Sequence, residues 1–517
     1  MLAKKRVLIV NCGLDEFRLN IRRVRRLPFS MAPAYLAGIL SPEHCDVVIY
    51  DEIFSGPLED EKRLSWPDML ILTGMNSTFD RMLHLTAYVR SKNKKVIVVA
   101  GGPVIRNIPK FAGRFFDYPC TGDIEQLQFV IEDAFGREYV SSAFLEKGWS
   151  IPRYDLAYFM KDMVYVESSR YCNYHCNYCG LSAENNKYQQ YDLAYLKEQF
   201  EALGKRKLVL FLDNNFGGTN RRFLLQRLQL LNTLRQKKSF WRWSALVSND
   251  FFFEDENLEL ARKSGCVGLF SGVESFSEQA LLNFNKPQNV RIPQVDLIKK
   301  CLEAGINFFY GMLVDVSTRS LKDIKQELNF LLDTPQVTLP AFITTAIPLL
   351  GTPFFFDCFR QKRFLPHVKL RDLDGKTLAL KSIDPLPKVV RFIKDIQCLA
   401  GYRTRILRHQ KEFFRIYRKS LPPEAMFTEI YNSLLLATPN LATAPTNIGS
   451  VLMSRFKYKR TYLSTTEALD PAYTPAFQVD ARYESYFKPT MLTDSQGNLA
   501  EALQEDLTEK MPAGLAN

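Results

Sequence analysis

Short, continuous apolar runs recur along most of this chain, each separated from the next by a stretch with helical patterning. In the first 140 residues they are RVLIVN from Arg6, DVVIYD from Asp46, MLILTG from Met69 and KVIVVAGG from Lys95. Strands so uniformly apolar must be buried on both faces, as in a parallel sheet covered front and back by helices. Residues 1–145 are therefore expected to form an N-terminal Rossmann-like doubly wound parallel sheet. A second series follows: MVYVES from Met163, KLVLFLD from Lys207, WRWSALVS from Trp241, CVGLFSG from Cys266, INFFYGML from Ile306 and AFITTAI from Ala341. Helical patterns such as FLLQRLQLLNTLRQ from Phe223 separate these six units, which predicts a (βα)6 partial TIM-type barrel over 160–370.

Beyond about residue 370 the alternation stops and helical patterns rich in aromatics and basics take over, which predicts a mainly helical domain over 371–490. The stretch 491–517 is polar or acidic and is expected to be a flexible tail. At 517 residues, 46% hydrophobic and 24% charged, the chain is an α/β protein with several cores. Its 10 cysteines are scattered, and no secretory leader precedes the first strand, so a reducing cytoplasm is the expected compartment. No run reaches the ~20 apolar residues of a membrane span. LPAFITTAIPLLGTPFFF from Leu339 is broken by Pro348, Gly351 and Pro353.

The net charge of +12 is concentrated in Arg18, Arg22, Arg23, Arg25 and Arg26, and again in Arg403, Arg405, Arg408, Lys411, Arg415, Arg418 and Lys419. Such stripes suit phosphates, anionic lipid or a carboxylated cofactor, or form a solvated helix face. Peripheral contact with a membrane through the second stripe is one expectation. Aromatics after residue 340, among them Phe354, Phe355, Phe356, Phe413, Phe414 and Tyr417, fit either a helix core or a bulky apolar small-molecule substrate.

Ligands of such sheets and barrels bind beyond the carboxyl ends of the strands. On the first sheet this draws attention to Ser77 and Thr78, which offer hydroxyls, and to Gly101, Gly102 and Gly122, which let a backbone approach a ligand; all are also ordinary turn or cap residues. On the barrel the first strand is followed by SSRYCNYHCNYCGLS, with Cys172, Cys176 and Cys179 spaced C-x3-C-x2-C. Three thiolates this close can hold three irons of a 4Fe–4S cube and leave the fourth open. Zinc with His175 as a fourth ligand, or incidental cysteines, are the rival readings. Asp213, Ser248 and Glu274 follow the second, third and fourth strands and are expected at the same mouth.

The cysteine loop, with Tyr178 before its last cysteine, resembles that of the radical S-adenosylmethionine (SAM) superfamily, in the subgroup with an N-terminal cobalamin-binding-type domain. FLDNNFGGT from Phe211, SGVESFSEQALLNFNKPQN from Ser271, YGMLVD from Tyr310 and AIPLLGTPFF from Ala346 are similar to later segments of that barrel, and the resemblance spans roughly 5–370. It implies a 4Fe–4S cluster on Cys172, Cys176 and Cys179, and SAM contacts from Tyr178, Asp213, Ser248 and Glu274. It also implies reductive cleavage of SAM to a 5′-deoxyadenosyl radical, with electrons from a flavodoxin or ferredoxin.

GGPVI at Gly101 and TGDIEQL at Thr121 resemble the subgroup's cobalamin loops, which places Ser77, Thr78, Gly101, Gly102 and Gly122 near a corrinoid. The implied reaction is methyl transfer to an unactivated carbon. Alternatives are a radical SAM oxidative cyclisation or rearrangement, with or without cobalamin, and a non-catalytic metal-binding scaffold.

Three departures stand out. The Asp-x-His-x-x-Gly motif that gives cobalt a lower-face histidine is replaced by Asn11-Cys12-Gly13-Leu14-Asp15-Glu16, so a corrinoid binds here without that ligand or the domain has kept its fold and lost the cofactor. Tyr171 stands where the cluster loop commonly has glycine, and Leu350 where the sixth-strand signature commonly has proline. The tRNA methylthiolation enzymes share the layout but add three N-terminal cluster cysteines. Cys12, Cys45 and Cys120 are too widely spaced for that, and nucleic acid is not an expected partner.

Overall fold

The computed structural model describes residues 3–13, 30–184, 186–375, 377–396, 402–437 and 473–510, the side chains of 394–396 and 434–437 not among them. The Arg18 to Arg26 cluster, Asp15, Glu16 and Cys398 lie outside the described residues. The chain divides into two compact units.

The first unit gathers Met1–Phe159, Ile347–Leu380 and Ala444–Asn517. Its strands are β1 (Lys5–Asn11), β2 (Cys45–Asp51), β3 (Met69–Thr73), β4 (Ile97–Gly101) and β5 (Tyr118–Pro119). They form one parallel sheet in the order β2-β1-β3-β4-β5. Val7, Leu8, Leu70, Leu72 and Val98 are fully buried, as the uniformly apolar runs require. The order reverses direction between β1 and β3, the kind of switch point at which such sheets bind ligands.

Helix Phe79–Lys92 is buried over most of its circumference because two layers cover it. Its outer side meets residues from far along the chain: His84 stacks on Phe487 with ring centroids 4.5 Å apart, and Asp80 accepts from the Thr490 amide at 3.0 Å and from the Tyr473 hydroxyl. Residues 491–510 are not the frayed tail that their polarity suggests. Met491 bridges to Lys369 and Thr493 to Leu499, and helix Glu501–Glu509 follows. Leu499, Leu503 and Leu507 are buried, and Asp506 accepts from the Lys110 and Phe111 amides at 2.9 and 2.8 Å.

The second unit comprises Met160–Ala346 and Lys381–Thr443. It contains β6 (Met163–Val166), a small hairpin of β7 (Ser169–Arg170) and β8 (Gln189–Gln190), then β9 (Arg206–Phe211), β10 (Phe240–Val247), β11 (Cys266–Glu274), β12 (Asn307–Val314) and β13 (Phe342–Thr345). The six long strands run parallel in the order β13-β12-β11-β10-β9-β6, the curled half-barrel expected. Trp243, Phe211, Phe216, Phe308 and Tyr310 are buried in the core of this unit. Helix Arg221–Gln236 starts where the Asn220 side chain accepts from the Phe223 amide, and helix Leu321–Leu332 where Ser320 accepts from Asp323. Helices Leu386–Ile396, Arg403–Tyr417 and Pro423–Ala437 belong to this unit, whereas the chain from Ile347 folds with the first. Among the described residues no helix is long and apolar enough to cross a membrane.

Candidate active site

The three cysteines follow β6 on one irregular loop, and all are free thiols. The loop turns where Tyr171 adopts φ +62°, the left-handed conformation that favours glycine, which explains why glycine suits this position and marks the tyrosine as strained. The Cys179 amide donates to the Cys176 carbonyl at 3.1 Å, and the Ser182 hydroxyl donates to the same oxygen at 2.7 Å. The far side of the loop rests on the segment after β11: the Asn177 amide donates to Phe284 O at 3.2 Å, and the Asn285 side chain donates to His175 O at 2.8 Å. His175 is thereby tied through its backbone. Among the described residues no three His, Cys, Asp or Glu side chains converge on a single-ion site.

Burial raises the Cys172 and Cys176 thiols and lifts Cys179 to about 11, and the Lys286 ammonium opposes the shift at each. Metal ligation would displace these protons. The Gln288 amide donates to Cys176 Sγ at 3.8 Å, while its buried Oε1 has no partner. Three free thiols on one loop, an amide donor to one sulfur and a nearby cation suit a 4Fe–4S cluster, whose net charge is negative.

Glu274 is set by a break in the sheet. The β11–β12 register shifts between Ser271 and Glu274, and Glu274 itself takes φ +60°, so the bulge re-aims its side chain. Its Oε1 accepts from the Tyr178 hydroxyl at 2.7 Å and from Lys286 Nζ at 3.0 Å, and Lys286 also donates to Gly272 O at 2.6 Å. A Cβ on Gly272 would lie 2.4 Å from Glu274 Oε1 and 2.6 Å from Lys286 Nζ, so a larger residue there would push this ion pair aside. Burial raises the Tyr178 hydroxyl well above 10 and keeps it a donor. Tyr178 also sits edge-on to Phe284 at 5.2 Å. Tyr178 and Glu274, singled out from sequence, are brought together with the cysteine loop. Lys286 and Gln288 were not foreseen, although the KPQ that carries them directly follows helix Glu278–Asn283.

Asp213 is a different case. It is fully buried, and its carboxylate accepts from the Ser168 amide at 3.0 Å, the Ser168 and Ser169 hydroxyls at 2.6 and 2.5 Å, and Arg227 at 3.1 Å. Arg227 is itself fully buried, lies 3.5 Å from the Phe216 ring centroid, and also donates to Phe216 O. Asp213 thus anchors the start of the cysteine loop rather than presenting a free carboxylate to SAM. Ser248 follows β10, with its hydroxyl on Asp250 and its amide on Asn215 Oδ1 at 3.1 Å. Asn215, buried and not foreseen, also donates to Asn173 of the cysteine loop at 2.7 Å.

In the first unit the expected corrinoid residues fall beyond β3, β4 and β5. The Thr78 hydroxyl closes a turn on Met75, accepting from its amide at 2.9 Å, and Ser77 lies in the same turn. Gly102 has φ +106°, and a Cβ there would sit 2.4 Å from Gly74 O, so this glycine serves the close approach of two loops. Gly101 is less crowded, its added Cβ meeting only Cys120 at 3.8 Å. The Gly122 carbonyl accepts from Arg106 at 2.9 Å.

Where β1 and β2 end, Asn11 donates to Asp51 at 2.8 Å, and Glu52 accepts from Gly13 N at 3.1 Å and pairs with Arg81 at 2.8 Å. His84 is sealed in the helix layer with both ring nitrogens unpartnered, and burial holds it well below 6.5. His44 lies before β2 and contacts Ser41 at 3.2 Å.

The profile of the radical SAM superfamily matches residues 166–331, from the end of β6 to the helix after β12. This stretch of the barrel unit is thus a radical SAM superfamily domain. Over 349 residues it is 26% identical to an uncharacterized methyltransferase of Synechocystis sp., a match covering 65% of this chain and 63% of that one. Over 203 residues it is 26% identical to the bacteriochlorophyllide d C-12(1)-methyltransferase of Chlorobaculum tepidum, covering 37% and 42%. The match therefore spans less than two thirds of either curated relative.

Among solved structures, the fold is similar to that of the cobalamin-dependent SAM radical enzyme OxsB with aqua-cobalamin and SAM bound. The TM-score is 0.58 at 15% identity, covering 98% of this chain and 78% of OxsB. It is also similar to the radical SAM methyltransferase TsrM of Kitasatospora setae, with TM-score 0.52 at 14% identity, covering 74% and 81%. At these identities the likeness is one of fold.

Proposed function

We propose that this radical SAM enzyme takes a hydrogen atom from an unactivated carbon of a small-molecule substrate, with cobalamin as a further cofactor. The observation that carries the reading is the cysteine loop with Gln288 on Cys176 and Tyr178 and Lys286 on Glu274. When bound, the cluster supplies one electron that splits SAM into methionine and a 5′-deoxyadenosyl radical, and cobalamin supplies a methyl carrier or a redox partner.

The chain's own residues hold and orient these groups. Cys172, Cys176 and Cys179 ligate three irons. Glu274, fixed by Tyr178 and Lys286, faces the cationic or hydroxyl part of SAM, and Gln288 Oε1 is a free acceptor beside Cys176. Asp213 and Ser248 act at one remove, by positioning the loop. A corrinoid would be held by the loops of the N-terminal sheet without an Asp-x-His-x-x-Gly motif, which this sequence lacks.

The substrate radical has two fates. The names of both curated relatives and of TsrM favour methyl transfer to the substrate carbon. The likeness to OxsB along almost the whole chain favours the wider class of cobalamin-dependent radical reactions, which includes oxidative cyclisation or rearrangement.

Anaerobic turnover by the full chain, reconstituted with iron, sulfide, hydroxocobalamin and SAM, separates them once a substrate is supplied. Methyl transfer yields S-adenosylhomocysteine alongside 5′-deoxyadenosine and moves SAM's methyl label into product. Rearrangement yields 5′-deoxyadenosine and an unlabelled product. Absence of 5′-deoxyadenosine under strong reduction removes the radical reading altogether.

A further inference from the structure

Helix Arg403–Tyr417 packs on the barrel unit through Ile406, His409, Gln410, Phe413 and Tyr417, which leaves its other side to solvent. On that side Leu407, Lys411, Phe414 and Arg418 follow at intervals of four, three and four residues, so they form one stripe along the helix. Leu407 is 60% exposed and Phe414 44%. Arg403, Arg408 and Lys419 flank the stripe and are exposed too. Within 403–419 the single acid is Glu412, which pairs with Arg415, and Arg405 pairs with Asp333. Among the described residues Arg403, Arg408, Lys411, Arg418 and Lys419 have no acidic partner. The neighbouring helix Pro423–Ala437 adds Phe427 and Tyr431, 70% and 52% exposed and stacked on each other at 6.3 Å.

Large apolar side chains left in water cost free energy, and here they are interleaved with unpaired cations rather than ringed by neutral polar groups. A mixture of this kind suits the interface of an anionic bilayer. Leucine and aromatic side chains sink to the acyl boundary there, while Lys and Arg stems snorkel to lipid phosphates. A nucleic acid would satisfy the cations and leave Leu407, Phe414 and Phe427 in water. We propose that the exposed side of helix Arg403–Tyr417 docks this protein on anionic membranes, lying on the bilayer rather than crossing it. The inference stands on this surface alone and does not depend on the reaction catalysed.

The test is co-sedimentation of the full chain with vesicles of phosphatidylcholine containing about 30% phosphatidylglycerol, and with phosphatidylcholine alone. Binding is expected to the anionic vesicles and to fall as salt rises from about 0.1 to 0.5 M. Each neutralised cation near such a surface lowers partitioning about fivefold, so Lys411→Gln with Arg418→Gln should weaken binding about 25-fold. Leu407→Ser with Phe414→Ser should abolish it, while the iron content of each reconstituted variant stays that of the parent, which shows that the barrel unit still folds. Equal binding to both vesicle types, no binding to either, or binding that ignores both variants overturns the proposal. So does a surface whose substitution dissolves a homodimer or releases an oligonucleotide while vesicles are never bound.

Discussion

The carboxyl ends of the strands are furnished differently in the two units. Around β11 of the barrel, polar side chains converge with capacity to spare: Gln288 has a buried oxygen without a partner, Glu274 is re-aimed by a bulge, and the three thiols form no disulfide. Around β1 and β2 of the N-terminal sheet, the polar groups consume one another, as Asn11 with Asp51 and Arg81 with Glu52. Asn11 and Gly13, at the end of β1, are thus taken up in the unit's own internal network, whereas the polar groups beside the cysteine loop keep an acceptor to spare.

The contrast can be broken by substitution. The largest effect on stability is expected from Arg81→Met, which leaves the Glu52 carboxylate buried without its cation and should cost about 3–5 kcal/mol in denaturant unfolding of the first unit. Its iron content and SAM cleavage per folded molecule should stay normal; loss of both would mean that the sheet network serves the cluster. Glu274→Gln should act the other way. It removes a charged acceptor of Tyr178 and Lys286, and SAM affinity measured by equilibrium dialysis should fall roughly 10- to 100-fold, the equivalent of about 1.5–3 kcal/mol. Unchanged affinity would take Glu274 out of the SAM site.

A smaller effect is expected at His84, whose two unpartnered ring nitrogens make it a net liability. His84→Phe should raise stability by about 1 kcal/mol and leave corrinoid uptake, read from its visible spectrum, unaltered. The sign of its pH effect follows from the lowered value: an unfolded chain binds a proton near 6.5 and the folded one does not. Stability from this group is therefore complete above 6.5 and declines as pH falls below it, and the variant should flatten that decline. Loss of corrinoid with the variant would reassign His84 to the cofactor. The smallest change is expected from Gln288→Leu, which deletes the donor to Cys176 and should move the cluster's reduction potential to a more negative value without loss of iron.

The strands were legible because β-branched and aliphatic runs have few other places to go, and Val7–Val10 and Val98–Ala100 are buried as that reading requires. The cysteine trio was legible because its ligands are local in sequence. Asp213 was placed correctly after a strand, but its hydrogen bonding was not readable. Its partners Ser168, Ser169 and Arg227 come from other elements, and nothing at position 213 announces that its lone pairs are already taken. Gln288 and Lys286 escaped for the same reason in reverse, since only the docking of the segment after β11 on the cysteine loop brings Gln288 to Cys176, and only the fold brings Lys286 to Glu274. The C-terminal helix was missed because its few apolar residues looked too sparse, yet Leu503 and Leu507, four residues apart, form one buried side, and Leu499 just before the helix is buried too.

The most direct test of a cluster-bearing radical enzyme is anaerobic reconstitution of the full chain beside Cys172→Ala, Cys176→Ala and Cys179→Ala, with iron counted and 5′-deoxyadenosine measured after reduction in the presence of SAM. The parent should hold about four irons, absorb near about 400 nm and form 5′-deoxyadenosine, and each variant should do none of these. A parent that holds one zinc and no iron, or a variant that still cleaves SAM, would contradict the account.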